Sequence, residues 1–104
     1  MTDRPEIVCL CGSTRFVDEL RAANHELSLA GAIVLAPGVF PNADTPSLTP
    51  DQKAALGELH LRKIDLADRV LIVNPGGYIG DSTTREIAHA QSTGKPISFT
   101  HKQV

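Results

Sequence analysis

The stretch that most constrains this chain is Ile64 to Pro96, where Val70-Leu71-Ile72-Val73 runs directly into Asn74, Pro75, Gly76, Gly77 and Gly80. A bounded apolar run of this length, rich in β-branched residues, reads as a strand buried on both faces. The proline and glycines behind it forbid a regular element and let the backbone approach a ligand closely. A helix then starts near Ser82 or Thr83, and Gly94-Lys95-Pro96 ends it. Strand, glycine-rich loop and helix follow one another, with Glu86 in the first helical turn. In an open α/β sheet that is where ligands bind.

The rest of the chain repeats this alternation. Ile7-Val8-Cys9-Leu10-Cys11 is a compact apolar run, expected to be the first and central strand, with Gly12-Ser13-Thr14-Arg15 at its carboxyl end. A helix is expected from Thr14 to Ala30, with Phe16, Leu20, Ala23, Leu27 and Ala30 at helical spacing. Gly31 ends it, and Ala32 to Ala36 forms the second strand. Pro37 to Thr49 is the one long irregular stretch, a length that in compact domains is usually functional or mobile. Thr49-Pro50-Asp51-Gln52 is a strong helix start. That helix runs to Leu66 and is expected to bury Leu56, Leu59, the Lys63 stem and Ile64. Ile97-Ser98-Phe99 supplies a last strand, and Thr100 to Val104 a polar tail.

Alternating strands and helices imply a parallel sheet covered on both faces. Right-handed crossovers make strand order 2-1-3-4 the economical arrangement, a small flavodoxin-like (Rossmann-like) α/β sheet of four or five strands. The loops 12–15, 37–49 and 74–82 then converge on one crevice, with Ser13, Thr14 and Arg15 opposite Gly77, Tyr78 and Glu86.

At 104 residues the chain is expected to be one domain, residues 1–104. Its net charge of -2 disfavours a long nucleic acid as partner. No apolar run is long enough to span a bilayer, and Met1-Thr2-Asp3-Arg4 lacks a signal-peptide core, so the expected compartment is the cytoplasm. Cys9 and Cys11 alternate on the first strand and share a face, a poor disulfide geometry. They read as small buried hydrophobes. His25, His60, His89 and His101 show no metal-ligand spacing with one another or with the cysteines, so no structural zinc, other metal or cofactor is expected.

Several residues have the chemistry for a site. Gly12-Ser13-Thr14-Arg15 offers two hydroxyls, a guanidinium and a helix N-terminus, a combination suited to a phosphate or carboxylate, or else a helix cap with a solvated Arg15. Thr83-Thr84-Arg85-Glu86 fits a capping box, in which Glu86 ties back to the Thr83 N–H. Asp81 is a second acid or a cap. Tyr78 and Phe40, on loops, could stack a base or simply pack. His60 shares a helix face with Leu56 and Ile64 and reads as a satisfied histidine at the helix–sheet boundary, with a view into the crevice.

Taken together, CGSTR after the first strand, D-x-A-D-R-V-L-I-V-N, G-Y-I-G-D-S-T-T-R-E-I-A-x-A and G-K-P-I resemble the nucleoside 2-deoxyribosyltransferase-like superfamily, which includes the deoxynucleoside 5′-monophosphate N-glycosidases. The resemblance runs over residues 7–99 except the 37–49 loop. It implies that Glu86 is the nucleophile that attacks the anomeric carbon, and that Ser13 and Arg15 contact a 5′-phosphate. Gly12, Thr14, Phe40, Gly77, Tyr78, Ser82 and Thr83, on the loops around the crevice and the start of the third helix, are the further candidate substrate-binding residues. Two positions depart from the pattern. The helical aspartate that assists the chemistry falls at His60, and the glycine two residues after the nucleophile is Ala88. His60 or Asp81 would then donate the proton to the leaving base.

A cruder resemblance, Pro75-Gly76-Gly77 with a downstream T-x-x-E, is to the lysine-decarboxylase-like phosphoribohydrolases, which cleave the same kind of bond. The expected function is cleavage or transfer at the N-glycosidic bond of a nucleoside or its 5′-monophosphate. A catalytically silent nucleotide-binding module of the same fold is the alternative. The partner is a small-molecule nucleoside or nucleotide, with no membrane, and a homodimer or higher homo-oligomer is expected because the resembled family closes its sites with a neighbouring subunit.

Overall fold

The structure, a computed structural model, describes residues 4–38 and 47–101. Among these described residues four strands, β1 (Ile7–Cys11), β2 (Ile33–Leu35), β3 (Arg69–Ile72) and β4 (Ile97–Phe99), alternate with three helices, α1 (Val17–Leu29), α2 (Pro50–Leu66) and α3 (Asp81–Ser92). The strands form one all-parallel sheet in the order β2-β1-β3-β4. Among the described residues no helix is long and apolar enough to cross a membrane.

Strand periodicity divides the core in two. Val8 and Leu10 of β1 pack with Val73, Leu20 and Ala23 on the α1 side. Cys9 and Cys11 point the opposite way, and with Val70 and Ile72 they pack on Ile64, Ala67 and Ala90 beneath α2 and α3. The side-chain period of two on β1 therefore decides that both thiols lie under the same two helices as His60 and Glu86.

The helix starts differ in instructive ways. At α2 the expected capping box is built: the Gln52 N–H donates to Thr49 Oγ1 at 3.1 Å, and the Thr49 N–H donates to Gln52 Oε1 at 2.9 Å. α1 begins at Val17 rather than Thr14, because the Ser13 Oγ accepts the Arg15 N–H at 3.3 Å and the Ser13 carbonyl accepts the Phe16 N–H at 3.0 Å. That local turn competes with the helix for the same N–H groups. Residues Ser13 to Arg15 thus form a turn ahead of the helix, not its first turn.

α3 departs in the other direction. Gly80 occupies the cap position with extended backbone, the helix starts at Asp81, and no side chain caps it. Thr83 lies within the first turn and is buried, so the Thr83–Glu86 capping box does not form, and Glu86 sits in the second turn. The stretch behind β3 contains one 3-10 turn, Pro75–Gly77, where irregular backbone was expected throughout.

On α2, Ile64 is buried and Leu56 half-buried as expected, but Leu59 is 52% exposed. His60 and Ile64, one turn apart, set the sheet-facing direction, and Leu59 is rotated off it by one residue's angle. Lys63 is half-buried and its Nζ donates to the Ala36 carbonyl at 2.7 Å, tying α2 to the end of β2. Lys95 does similar work at the other end, donating to the Asp65 and Ala67 carbonyls at 3.1 and 2.7 Å and so satisfying the open end of α2.

Candidate functional site

Beyond the carboxyl ends of β1 and β2 a cavity of about 470 Å³ opens between the sheet and helices α2 and α3. Gly12, Thr14, Pro37, Gly38, His60, Ser82 and Glu86 are among its lining residues. The volume is in the range of ordinary small-molecule pockets. Its position follows from the strand order: β1 lies between β2 and β3, and the chain leaves toward opposite faces on either side of it.

Gly12 makes the close approach at that point possible. A Cβ there would lie 2.6 Å from the Val73 carbonyl oxygen, so no larger residue fits without moving backbone. The Val73 N–H donates to the Cys11 carbonyl at 2.8 Å, which locks the two strand ends together just below the loop.

At the floor of the cavity His60 and Glu86 meet, and the thiols of Cys9 and Cys11 lie behind them, sealed from solvent. The His60 Nε2 lies 3.6 Å from Cys9 Sγ, 3.4 Å from Cys11 Sγ and 3.9 Å from Glu86 Oε1. The side chains of His60 and Glu86 are only 7% and 13% accessible. Burial raises the Glu86 pKa, and the neighbouring His60 and a hydrogen bond from Cys11 oppose the shift without cancelling it. Burial works against a charged His60, but its hydrogen bond with Cys9 and the charges of Cys9 and Glu86 outweigh that, so its pKa is raised. Each thiol perturbs the other. The hydrogen bond between them lowers the Cys9 pKa and, joined by burial, raises that of Cys11.

The residues expected to hold a phosphate lie to one side. Arg15 stacks on Tyr78, its guanidinium carbon 4.4 Å from the ring centre, and donates to the Tyr78 hydroxyl at 3.2 Å. Phe16 meets the same ring edge-on at 5.8 Å. The first and third strand loops are therefore in contact, as their placement opposite one another requires. Of the first loop, Gly12 and Thr14 line the cavity, while Ser13 is engaged in its turn and Arg15 in its stack. Gly77 takes a positive φ of 83° beside Tyr78. Ser82 reaches the cavity and accepts from Arg85 at 3.3 Å. Asp81 is exposed at the start of α3 and is not among the cavity residues, and Thr83 is buried within the helix. Phe40 lies outside the described residues.

The sequence matches no protein-family model and no curated protein. Among solved structures the chain superposes on the 2-deoxyribosyltransferase from the psychrotolerant bacterium Bacillus psychrosaccharolyticus with a TM-score of 0.67, over 89% of this chain and 70% of that one, at 19% identity. The fold is nucleoside 2-deoxyribosyltransferase-like. Within that deoxyribosyltransferase-like frame, Glu86 projects from α3 and His60 from α2 toward the carboxyl end of β1.

Cys9 and Cys11 are the members of the cluster that sequence reasoning set aside. Their shared face was readable from the strand, and their place at its carboxyl end is where ligands gather. What misled was ligand spacing along the chain, since His60 reaches them from 49 and 51 residues away.

Proposed function

We propose that this chain cleaves, or transfers a sugar across, the N-glycosidic bond of a deoxynucleoside or its 5′-monophosphate, with Glu86 as nucleophile. The observation that carries this reading is a mostly buried carboxylate, 3.9 Å from a buried imidazole, at the floor of a nucleoside-sized cavity in a deoxyribosyltransferase-like fold.

The chemistry follows the two-step course of retaining glycoside transfer. The Glu86 carboxylate attacks C1′ of the sugar as the C1′–N bond breaks and its electron pair leaves with the base. A proton delivered to the base nitrogen assists departure. His60 suits this donor role better than Asp81, because it lines the cavity and its raised pKa keeps it protonated to higher pH. Water, or a second base, then attacks C1′ and frees Glu86. The carboxylate, already short of water, stabilises the positive charge that develops on the sugar more strongly than a solvated one would.

Recognition of the rest of the substrate falls to the rim. Ser13 and Arg15 would take a 5′-phosphate, with Arg15 leaving or sharing its contact with Tyr78, and Tyr78 would present a face to the base. A second copy of the chain closing the open side of the cavity, where Leu59 stands exposed, would complete the pocket.

The deciding experiment is incubation of the purified chain with deoxynucleosides, ribonucleosides and their 5′-monophosphates, with free base read by chromatography. Release of base from deoxy substrates is expected. Base released only from ribonucleotides would move the reading to a phosphoribohydrolase. Binding without release would leave a silent nucleotide-binding module.

A further inference from the structure

We propose that Cys9, Cys11 and His60 form a binding site for a thiophilic divalent cation of the zinc class, which draws in the neighbouring Glu86 carboxylate as its fourth ligand. The two Sγ atoms and one imidazole nitrogen lie within 4.8 Å of one another, and all three residues are buried. They arrive from two elements, β1 and α2, and α3 brings the Glu86 carboxylate to the same nitrogen.

The distances carry the argument. A tetrahedral zinc ion with Zn–S of about 2.3 Å and Zn–N of about 2.0–2.1 Å requires sulfur–nitrogen edges of about 3.5 Å. The observed edges are 3.6 Å from Cys9 and 3.4 Å from Cys11. The Glu86 oxygen, 3.9 Å from His60 Nε2, stands beside this trio and outside its 4.8 Å spread, so its side chain turns toward the sulfurs to supply the fourth ligand.

Weak thiol hydrogen bonds already join these groups, and a cation would replace them with stronger bonds to the same atoms. A ring nitrogen carries either one lone pair or one proton, and here it faces two sulfurs and a carboxylate oxygen. A cation seated among them uses every one of those atoms. The donor set also selects the ion. Two thiolates and an imidazole favour zinc and its soft relatives over magnesium or calcium, which take oxygen.

Charge and access agree with the assignment. On binding, the two thiols, and His60 where it is protonated, release their protons to solvent, and two thiolates neutralise the dication, so the buried centre carries no large net charge before Glu86 joins it. The cavity lined by His60 and Glu86 provides the entry path. If the reaction proposed above is correct, an ion here holds the Glu86 carboxylate and withdraws the nucleophile, so occupancy and turnover oppose each other.

The test uses the full chain, reduced and stripped of metal with a chelator, then titrated with Co²⁺. One Co²⁺ per chain is expected, with a sulfur-to-cobalt charge-transfer band and tetrahedral d–d bands, all bleached by Zn²⁺. The Cys9→Ala/Cys11→Ala double variant should lose the charge-transfer band. Glu86→Gln should keep that band, alter the d–d bands and weaken binding tenfold or more. X-ray absorption at the cobalt edge on the unmutated chain needs no variant to fold, and should count two sulfurs, one nitrogen and one oxygen. A shell of oxygen and nitrogen only, no charge-transfer band in the unmutated chain, or a band that survives in the double variant would each overturn the site. No substrate enters these measurements, so their failure leaves the glycosidic reading standing, and the failure of base release leaves the metal site standing.

Discussion

The Glu86 carboxylate and the His60 imidazole approach to 3.9 Å across the gap between α3 and α2, both nearly sealed from solvent. Because α3 starts at Asp81 and has no side-chain cap, Glu86 has no helix-capping duty to lose. Glu86→Gln should therefore lower turnover by orders of magnitude while changing stability by no more than about 1 kcal/mol. The expected direction is upward, since burial disfavours the ionised carboxylate. Paired measurements of base release and thermal unfolding on the same preparation check this. A collapse in stability with activity retained in the folded fraction would make Glu86 a structural residue.

Arg15 is held on the Tyr78 ring, beside the cavity and not among the residues that line it. A 5′-monophosphate should bind better than its nucleoside by about 1.5–3 kcal/mol, the contribution of charge-assisted hydrogen bonds. Arg15→Ala should remove that difference and leave nucleoside affinity nearly unchanged. Calorimetric titration with both ligands reads the result, and equal affinities in the unmutated chain would exclude a phosphate site here.

The acid limb of stability should depend on Asp68. The Arg4 guanidinium donates to both its oxygens, at 2.6 and 2.8 Å, and the Ile7 N–H adds a third bond at 2.8 Å, holding its pKa well below the usual carboxylate range. A depressed folded pKa means stability that is present above the unfolded value of about 3.9 and is lost as pH falls through the folded one. Asp68→Asn should accordingly be less stable than the parent at neutral pH and lose less on acidification, the two curves converging at low pH. Urea unfolding across that range would reveal parallel curves if the contact contributes nothing.

Leu59 and Leu66, seven residues apart on α2, are 52% and 67% exposed on one side of the helix. Leu59 also borders the cavity. A dimer joined along this face should show in light scattering at micromolar concentration, and Leu66→Glu should shift it toward monomer. A monomer with full activity would contradict a shared site.

The sheet order was legible because it follows from the alternation of strands and helices, and the α2 face was legible at His60 and Ile64 but not at Leu59, which the helical angle turns away from the sheet. α2 could be read to its capping box, since Thr49, Pro50 and Gln52 all act locally. The starts of α1 and α3 were not legible, because Ser13 and Gly80 offer the backbone alternatives whose balance is set by the neighbouring loop. Asn74 shows the same limit. It is fully buried, and its side chain bonds the Thr100 hydroxyl and the His101 backbone N–H and carbonyl, so what reads as the start of a polar tail is fastened to the end of β3. The Cys9–Cys11–His60–Glu86 cluster depends on how closely α2 and α3 settle on β1, which no spacing along the chain encodes.

The most direct test of Glu86 as a nucleophile is the mass of the protein itself, quenched in acid during turnover of a deoxynucleoside 5′-monophosphate and digested. A sugar adduct is expected on the peptide that carries Glu86, and none is expected in the Glu86→Gln variant. Base release at full rate from that variant, or an adduct located on another residue, would contradict it.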